Sequence, residues 1–245
     1  MDNNIVINGI FSVIFISISI IIGIKITLSY RHNKEKIYLS VGLVWILITE
    51  SWFASAISFL IALFTNTTGL QQYPQVYLLI GNLLIPINQL IWLSTTTDLF
   101  YKQKQKLIVG IYACFTIIFE VLFIYYAFND YTAIGNVVSI VDVEYEPLFL
   151  VWIAGNLLVF LIPGFLFGRA TMKSNKPEIK LKGRLLIVAF CLFGVGAALD
   201  SASIMPAEFL PLTRSILITS ALFYYGGFIL PNWMKKLLIK GQTEN

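Results

Sequence analysis

The chain has 245 residues, of which 58% are hydrophobic and only 12% charged, and its mean hydropathy is +0.80. Soluble domains run near half apolar and a quarter charged, so this composition argues against a water-soluble enzyme. One His and two Cys supply neither a zinc cluster nor a disulfide framework, and a net charge of +4 is too small to indicate nucleic acid.

A helix needs roughly 20 apolar residues to cross a bilayer core of about 30 Å. Seven stretches meet that length: about residues 5–30, 37–64, 76–100, 107–128, 147–172, 185–205 and 215–234. They are too long and too continuously apolar for barrel strands. The first has no small-residue cleavage pattern and reads as a retained helix. The expected fold is therefore an all-α bundle of seven transmembrane helices, residues 1–234, with a short basic tail over 235–245.

The connecting segments predict the orientation. RHNKEK, YKQKQK, KSNKPEIKLKGR and the tail hold fourteen of the 17 basic residues, whereas Arg214 is the one base in the opposite segments. By the positive-inside rule the N-terminus lies outside and the C-terminus in the cytoplasm of a multi-pass cell-membrane protein. Lys173, Lys176, Lys180, Lys182 and Arg184 form the densest basic run, a candidate contact for anionic lipid or a cytoplasmic partner.

Intramembrane chemistries fail on residue inventory. The single histidine, His32, sits in a basic turn, which leaves no His-based zinc site and no Ser/His pair. The last span has no lysine for a retinal Schiff base, and the surroundings of Asp200, GAALDSAS, lack the sequence expected around an intramembrane aspartyl protease dyad. No catalytic residue, metal or cofactor is expected. Cys114 and Cys191 read as small core packers.

Polar residues within the spans carry the functional expectation, because an ionisable group at mid-bilayer costs at least about 2.5 kcal/mol and normally faces a pocket, a pathway or a partner. Glu50, Glu120 and Asp200 lie roughly 20, 20 and 23 Å along their helices from the basic side, which places them at one level. Asn88, Gln89 and Asn156 reach overlapping depths, and Trp52 stands two residues from Glu50. Aromatic walls with a few polar anchors are the usual lining of a small-molecule pocket, so these seven residues are candidate ligand contacts in the outer half. Arg214, expected to open the seventh helix, should form a salt bridge with Asp200. Pro86 and Pro163 are expected to kink their spans, and the Gly164/Gly168 spacing to allow close helix packing. The acidic segment VSIVDVEYE alternates like a strand and reads as a solvated edge or a lid.

The stretches GNLLIPINQLIWLSTTTDLF, NKPEIKLKGRLLIVAF and LFYYGGFILPNWMKK resemble an uncharacterised group of archaeal seven-helix membrane proteins. More distantly, the layout is similar to the seven-helix sensing region of prokaryotic histidine kinases. That resemblance implies detection of a ligand and read-out by a separate cytoplasmic partner, and it carries no functional residues over. The leading expectation is a receptor-like or sensor-like protein rather than an enzyme. The alternative is a small proton- or cation-coupled transporter using Glu50 and Glu120.

Overall fold

The computed structural model describes residues 2–201 and 207–238. It is all-helical apart from one hairpin. In chain order the elements are α1 (Asn3–Leu28), the short α2 (Tyr30–Asn33), α3 (Ile37–Ile48), α4 (Phe53–Thr65), α5 (Pro74–Asn82), α6 (Ile85–Phe100), α7 (Gln105–Asn129), β1 (Gly135–Ser139), β2 (Asp142–Tyr145), α8 (Pro147–Met172), α9 (Pro177–Ser201), α10 (Leu210–Phe228) and α11 (Asn232–Leu238). Six helical stretches among the described residues are long and apolar enough to cross a membrane: Asn3–Asn33, Ile37–Thr65, Pro74–Phe100, Lys102–Asn129, Pro147–Met172 and Pro177–Ser201. The 19-residue α10, which carries Arg214 and buried hydroxyls at Thr213 and Ser220, is not among the six.

The packing follows from the side chains available at each contact. Where helices must approach closely, glycine faces them. A Cβ on Gly23 would lie 2.7 Å from the Gly42 carbonyl, and one on Gly183 would lie 2.7 Å from the Gly168 carbonyl, so α1 sits tightly on α3 and α8 on α9. α9 is held between α8 and α10, while α1 packs on α3, α4 and α10. Trp45, Trp92, Phe160, Phe190, Phe193 and Tyr224 fill the centre, with Trp45 and Tyr224 stacked at 4.0 Å. By contrast α7 is peripheral and turns large apolar side chains such as Ile118 and Val121 outward, as a lipid-facing helix must. Cys114 and Cys191 are exposed, contrary to expectation: each falls on an outward face of its helix, where a small apolar thiol is tolerated by lipid as readily as by a core.

Two spans are interrupted. The third breaks at Leu83–Leu84, where Pro86 cannot donate to the Asn82 carbonyl and its ring crowds that carbonyl, so α5 ends and α6 begins afresh. The second breaks at a 3₁₀ turn, Glu50–Trp52, without proline. There Thr49 turns its hydroxyl back onto the Ile46 carbonyl at 2.8 Å, closing α3, and Glu50 is drawn toward the neighbouring break. Pro163 behaves differently, since α8 runs unbroken from Pro147 to Met172.

Several expected boundaries shift. α9 begins at Pro177 rather than near residue 185, and the expected end at Met205 lies outside the described residues. α10 begins at Leu210 with Pro211 in its first turn, so Arg214 lies inside the helix rather than opening it. It ends at Phe228, short of the expected 234, because Leu230 adopts a left-handed conformation before α11 restarts the helix.

The segment read as a lid or a solvated edge forms an antiparallel hairpin, with Gly135 opposite Tyr145 and Ser139 opposite Asp142. Its turn is apolar. Ile140 and Val141 are buried and pack with Phe59 and Ala62, so the tip seats in the end of the bundle instead of standing in solvent.

Candidate functional site

Beneath the hairpin lies a cavity of about 90 Å³. At roughly 30 Å³ per water it has room for about three waters or one molecule of a few heavy atoms. α3, α4, α6, α8, α9, α10 and the Glu50–Trp52 turn contribute its walls, and Val141, Asp142, Val143 and Tyr145 of the hairpin region line its hairpin side. Of the seven candidate contacts, Trp52, Asn88, Gln89, Asn156 and Asp200 line it.

Asp200 is held by two neutral donors. Trp52 donates through Nε1 to Oδ2 at 2.6 Å, and Thr213 donates through its hydroxyl to Oδ1 at 2.7 Å. Arg214 Nε stands 3.9 Å from Oδ1, within ion-pair range but beyond a hydrogen bond. The guanidinium, 1% exposed, instead donates to the Asn8 carbonyl at 2.5 Å and the Val141 carbonyl at 3.3 Å. Arg214 thus ties α1, α10 and the hairpin tip together, and its pairing with Asp200 is electrostatic.

The carboxamides are incompletely bonded. Asn156 accepts from the Tyr112 hydroxyl at 2.6 Å and donates to the Trp152 carbonyl at 2.9 Å. Gln89 donates to the Asn156 carbonyl at 3.0 Å, but its Oε1 has no partner among the described residues. Asn88 is wholly buried, lines the cavity, and has no partner there for either its oxygen or its nitrogen. A buried polar group left unbonded costs about 1–3 kcal/mol, so the Asn88 amide calls for a hydrogen-bonding partner, water or solute, in the space beside it.

Glu50 and Glu120 do not line the cavity. Glu50 is 2% exposed and its carboxylate accepts the Leu84 backbone N–H through both oxygens, at 2.7 and 2.9 Å. It therefore caps α6 from the neighbouring span, satisfying a donor that the break at Pro86 exposes and placing an acid at a helix N-terminus. Glu120 lies half-buried on the peripheral α7, with Oε1 buried and unbonded among the described residues.

Sequence reasoning missed Asp142, Tyr145 and Arg214 as cavity residues. Tyr145 and Asn82 exchange hydrogen bonds at 3.0 and 3.3 Å, which clips β2 to α5. Asp142 accepts the Val143 N–H at 2.9 Å through Oδ1. Burial pushes its carboxyl up to about 6, with the Asp200 charge adding to the rise, Val143 N–H and Arg214 opposing it, and Glu144 adding a little. The signal for Asp142 and Tyr145 was present in the alternation of VSIVDVEYE, but nothing local fixed which way the hairpin would fold, and the sequence singles out Arg214 only as the ion-pair partner of Asp200. At the other end of the bundle, Lys173, Lys176, Lys180 and Arg184 are exposed, while Lys182 donates to the Phe228 carbonyl at 2.8 Å and Glu178 pairs with Lys235. Among the described residues no group of three or more His, Cys, Asp or Glu is placed to hold a metal ion.

Neither a scan against protein-family models nor a search of curated proteins returns a match to this chain.

Proposed function

We propose that the chain is a receptor-like or sensor-like protein of the cell membrane that binds a small polar ligand in the cavity under the hairpin. In this reading α10 completes a seven-helix bundle, the N-terminus and hairpin lie outside, and the basic end faces the cytoplasm, where Lys173, Lys176, Lys180, Lys182 and Arg184 meet a separate partner or anionic lipid. The resemblance to seven-helix sensing regions agrees with this reading. The observation that carries it is Asn88: a fully buried amide, unbonded at both atoms among the described residues, on the wall of a cavity roofed by a seated hairpin. Below the cavity the aromatic cluster around Trp45, Trp92 and Tyr224 fills the bundle, which supports binding without passage. A ligand would act by favouring one arrangement of hairpin and bundle over another.

The carrier reading has its own support. Two interrupted spans meet at Glu50 and Leu84, and broken helices at mid-membrane are a recurrent way to build transport sites. Proteoliposomes separate the two readings. A sensor binds small polar solutes in a manner lost in Asn88→Leu and passes none of them; solute uptake driven by a pH gradient and abolished by Glu50→Gln would overturn the sensor in favour of the carrier.

A further inference from the structure

The cavity wall carries two carboxylates, Asp142 and Asp200, against one guanidinium, that of Arg214, and so a surplus of one negative charge. The guanidinium donates through its two terminal nitrogens to backbone carbonyls, while Nε, 3.9 Å from Asp200 Oδ1, makes no hydrogen bond among the described residues. Each Asp200 oxygen accepts one neutral donor and retains a lone pair, and Asp142 Oδ2 makes no hydrogen bond among the described residues. The two amide oxygens that lack partners, Asn88 Oδ1 and Gln89 Oε1, are also acceptors. Unengaged acceptors thus outnumber the two unengaged donors, Asn88 Nδ2 and Arg214 Nε, and with the surplus negative charge they favour a cation bearing N–H donors. Between these groups the walls are apolar or aromatic, including Ile48, Ile85, Leu157 and Phe193. Such walls suit an alkyl group and the face of a ring suits an ammonium, whereas a hard metal ion needs six or more oxygens and would gain nothing from them.

Resting on the reading of the cavity as a ligand site, we infer that its ligand is a small alkylammonium cation of a few heavy atoms, its N–H groups directed at Asp142, Asp200 and the Asn88 and Gln89 oxygens. An isolated carboxylate pair facing one engaged arginine is repulsive when empty, and the cation removes that repulsion. The raised carboxyl of Asp142, which faces Asp200 on α9, Arg214 on α10, Glu144 on its own strand, Tyr145 and Tyr77 on α5, accords with this surplus. Binding therefore strengthens as pH rises through about 6, where Asp142 ionises.

Methylammonium chloride is the probe, with sodium chloride at equal ionic strength, sodium acetate and acetamide as the other arms, added to the whole chain in lipid nanodiscs while its thermal unfolding is followed. Methylammonium should raise the midpoint in a saturable way that sodium does not. Its affinity should fall about tenfold between pH 7 and pH 5, and about tenfold or more in Asp142→Asn, a near-isosteric change on the hairpin. Saturable binding of acetate or acetamide that Asn88→Leu abolishes, with none of methylammonium, would overturn the cation and leave the cavity a ligand site. An equal response to sodium, or methylammonium binding undiminished in Asp142→Asn, would likewise overturn it. No saturable response to any of the four would overturn the cation and the ligand site together, leaving a water-filled void.

Discussion

Around Trp45 the space between helices is filled by side chains: its ring stacks on Tyr224, lies 5.7 Å from Phe193, and joins a cluster in which Phe190 and Phe160 are wholly buried. Around Asn88, a little further along the same bundle, the helices leave about 90 Å³ open and an amide unbonded among the described residues. The same α3, α6 and α9 contribute to both regions, so helix propensity and hydropathy do not distinguish them. Side-chain volume and bonding do. Close packing stabilises the first region, while the second holds charges and amides in an arrangement that is costly when empty, as binding sites commonly are.

The comparison is sharpened first by Phe190→Ala. Removing a fully buried ring that touches Trp92, Phe160 and Tyr224 should cost about 4 kcal/mol in denaturant unfolding, while the protein that remains folded still binds methylammonium. Loss of binding at this distance would show that the two regions are one unit. Arg214→Met should cost about 3 kcal/mol by the same measurement, because it leaves Asp200 without its cation and unties the Asn8 and Val141 carbonyls. It should also raise protease sensitivity in the hairpin, a readout that Phe190→Ala leaves unchanged under conditions where both variants are folded.

Glu50→Leu removes the carboxylate that caps α6 and should lower stability by about 2 kcal/mol, with accelerated hydrogen exchange at Leu84. The smallest effect is expected of Asp142→Asn, and its sign is opposite. Because the folded-state carboxyl titrates near 6 against 3.8 for a free one, the native protein holds a proton that the unfolded chain has released between those values. Stability of the empty protein should therefore fall as pH rises through that window, and Asn should abolish the slope, leaving the variant the more stable at pH 7 in ligand-free unfolding curves.

Much of this arrangement was legible in the sequence. Hydropathy and the basic turns located the long helices, and depth within the third span, level with the buried acids, singled out Asn88 and Gln89, which the structure places at the cavity. The two prolines show where legibility stops. Pro86 and Pro163 give the same local signal, yet only the former breaks its span. At Pro86 the Glu50 carboxylate from another span receives the Leu84 N–H. Upstream of Pro163, Gln89 and Trp92 of α6 donate to the Asn156 and Phe160 carbonyls of α8, at 3.0 and 2.9 Å, and the helix stays whole. Neither partner is near in sequence. The same holds for Arg214, whose spacing from Asp200 predicted the ion pair correctly, although its hydrogen bonds run to carbonyls 206 and 73 residues away. Glu120 was read with Glu50 because both are acids at one depth, and depth says nothing about which side of a helix faces the protein.

The most direct test of the central claim is a high-resolution density map of the chain prepared in a membrane-like environment with methylammonium present. Density of at least two heavy atoms should bridge the Asn88 amide oxygen to Asp142 or Asp200. An unoccupied or collapsed cavity, or one holding only ordered waters that complete the bonds of Asn88 and Gln89, would contradict it.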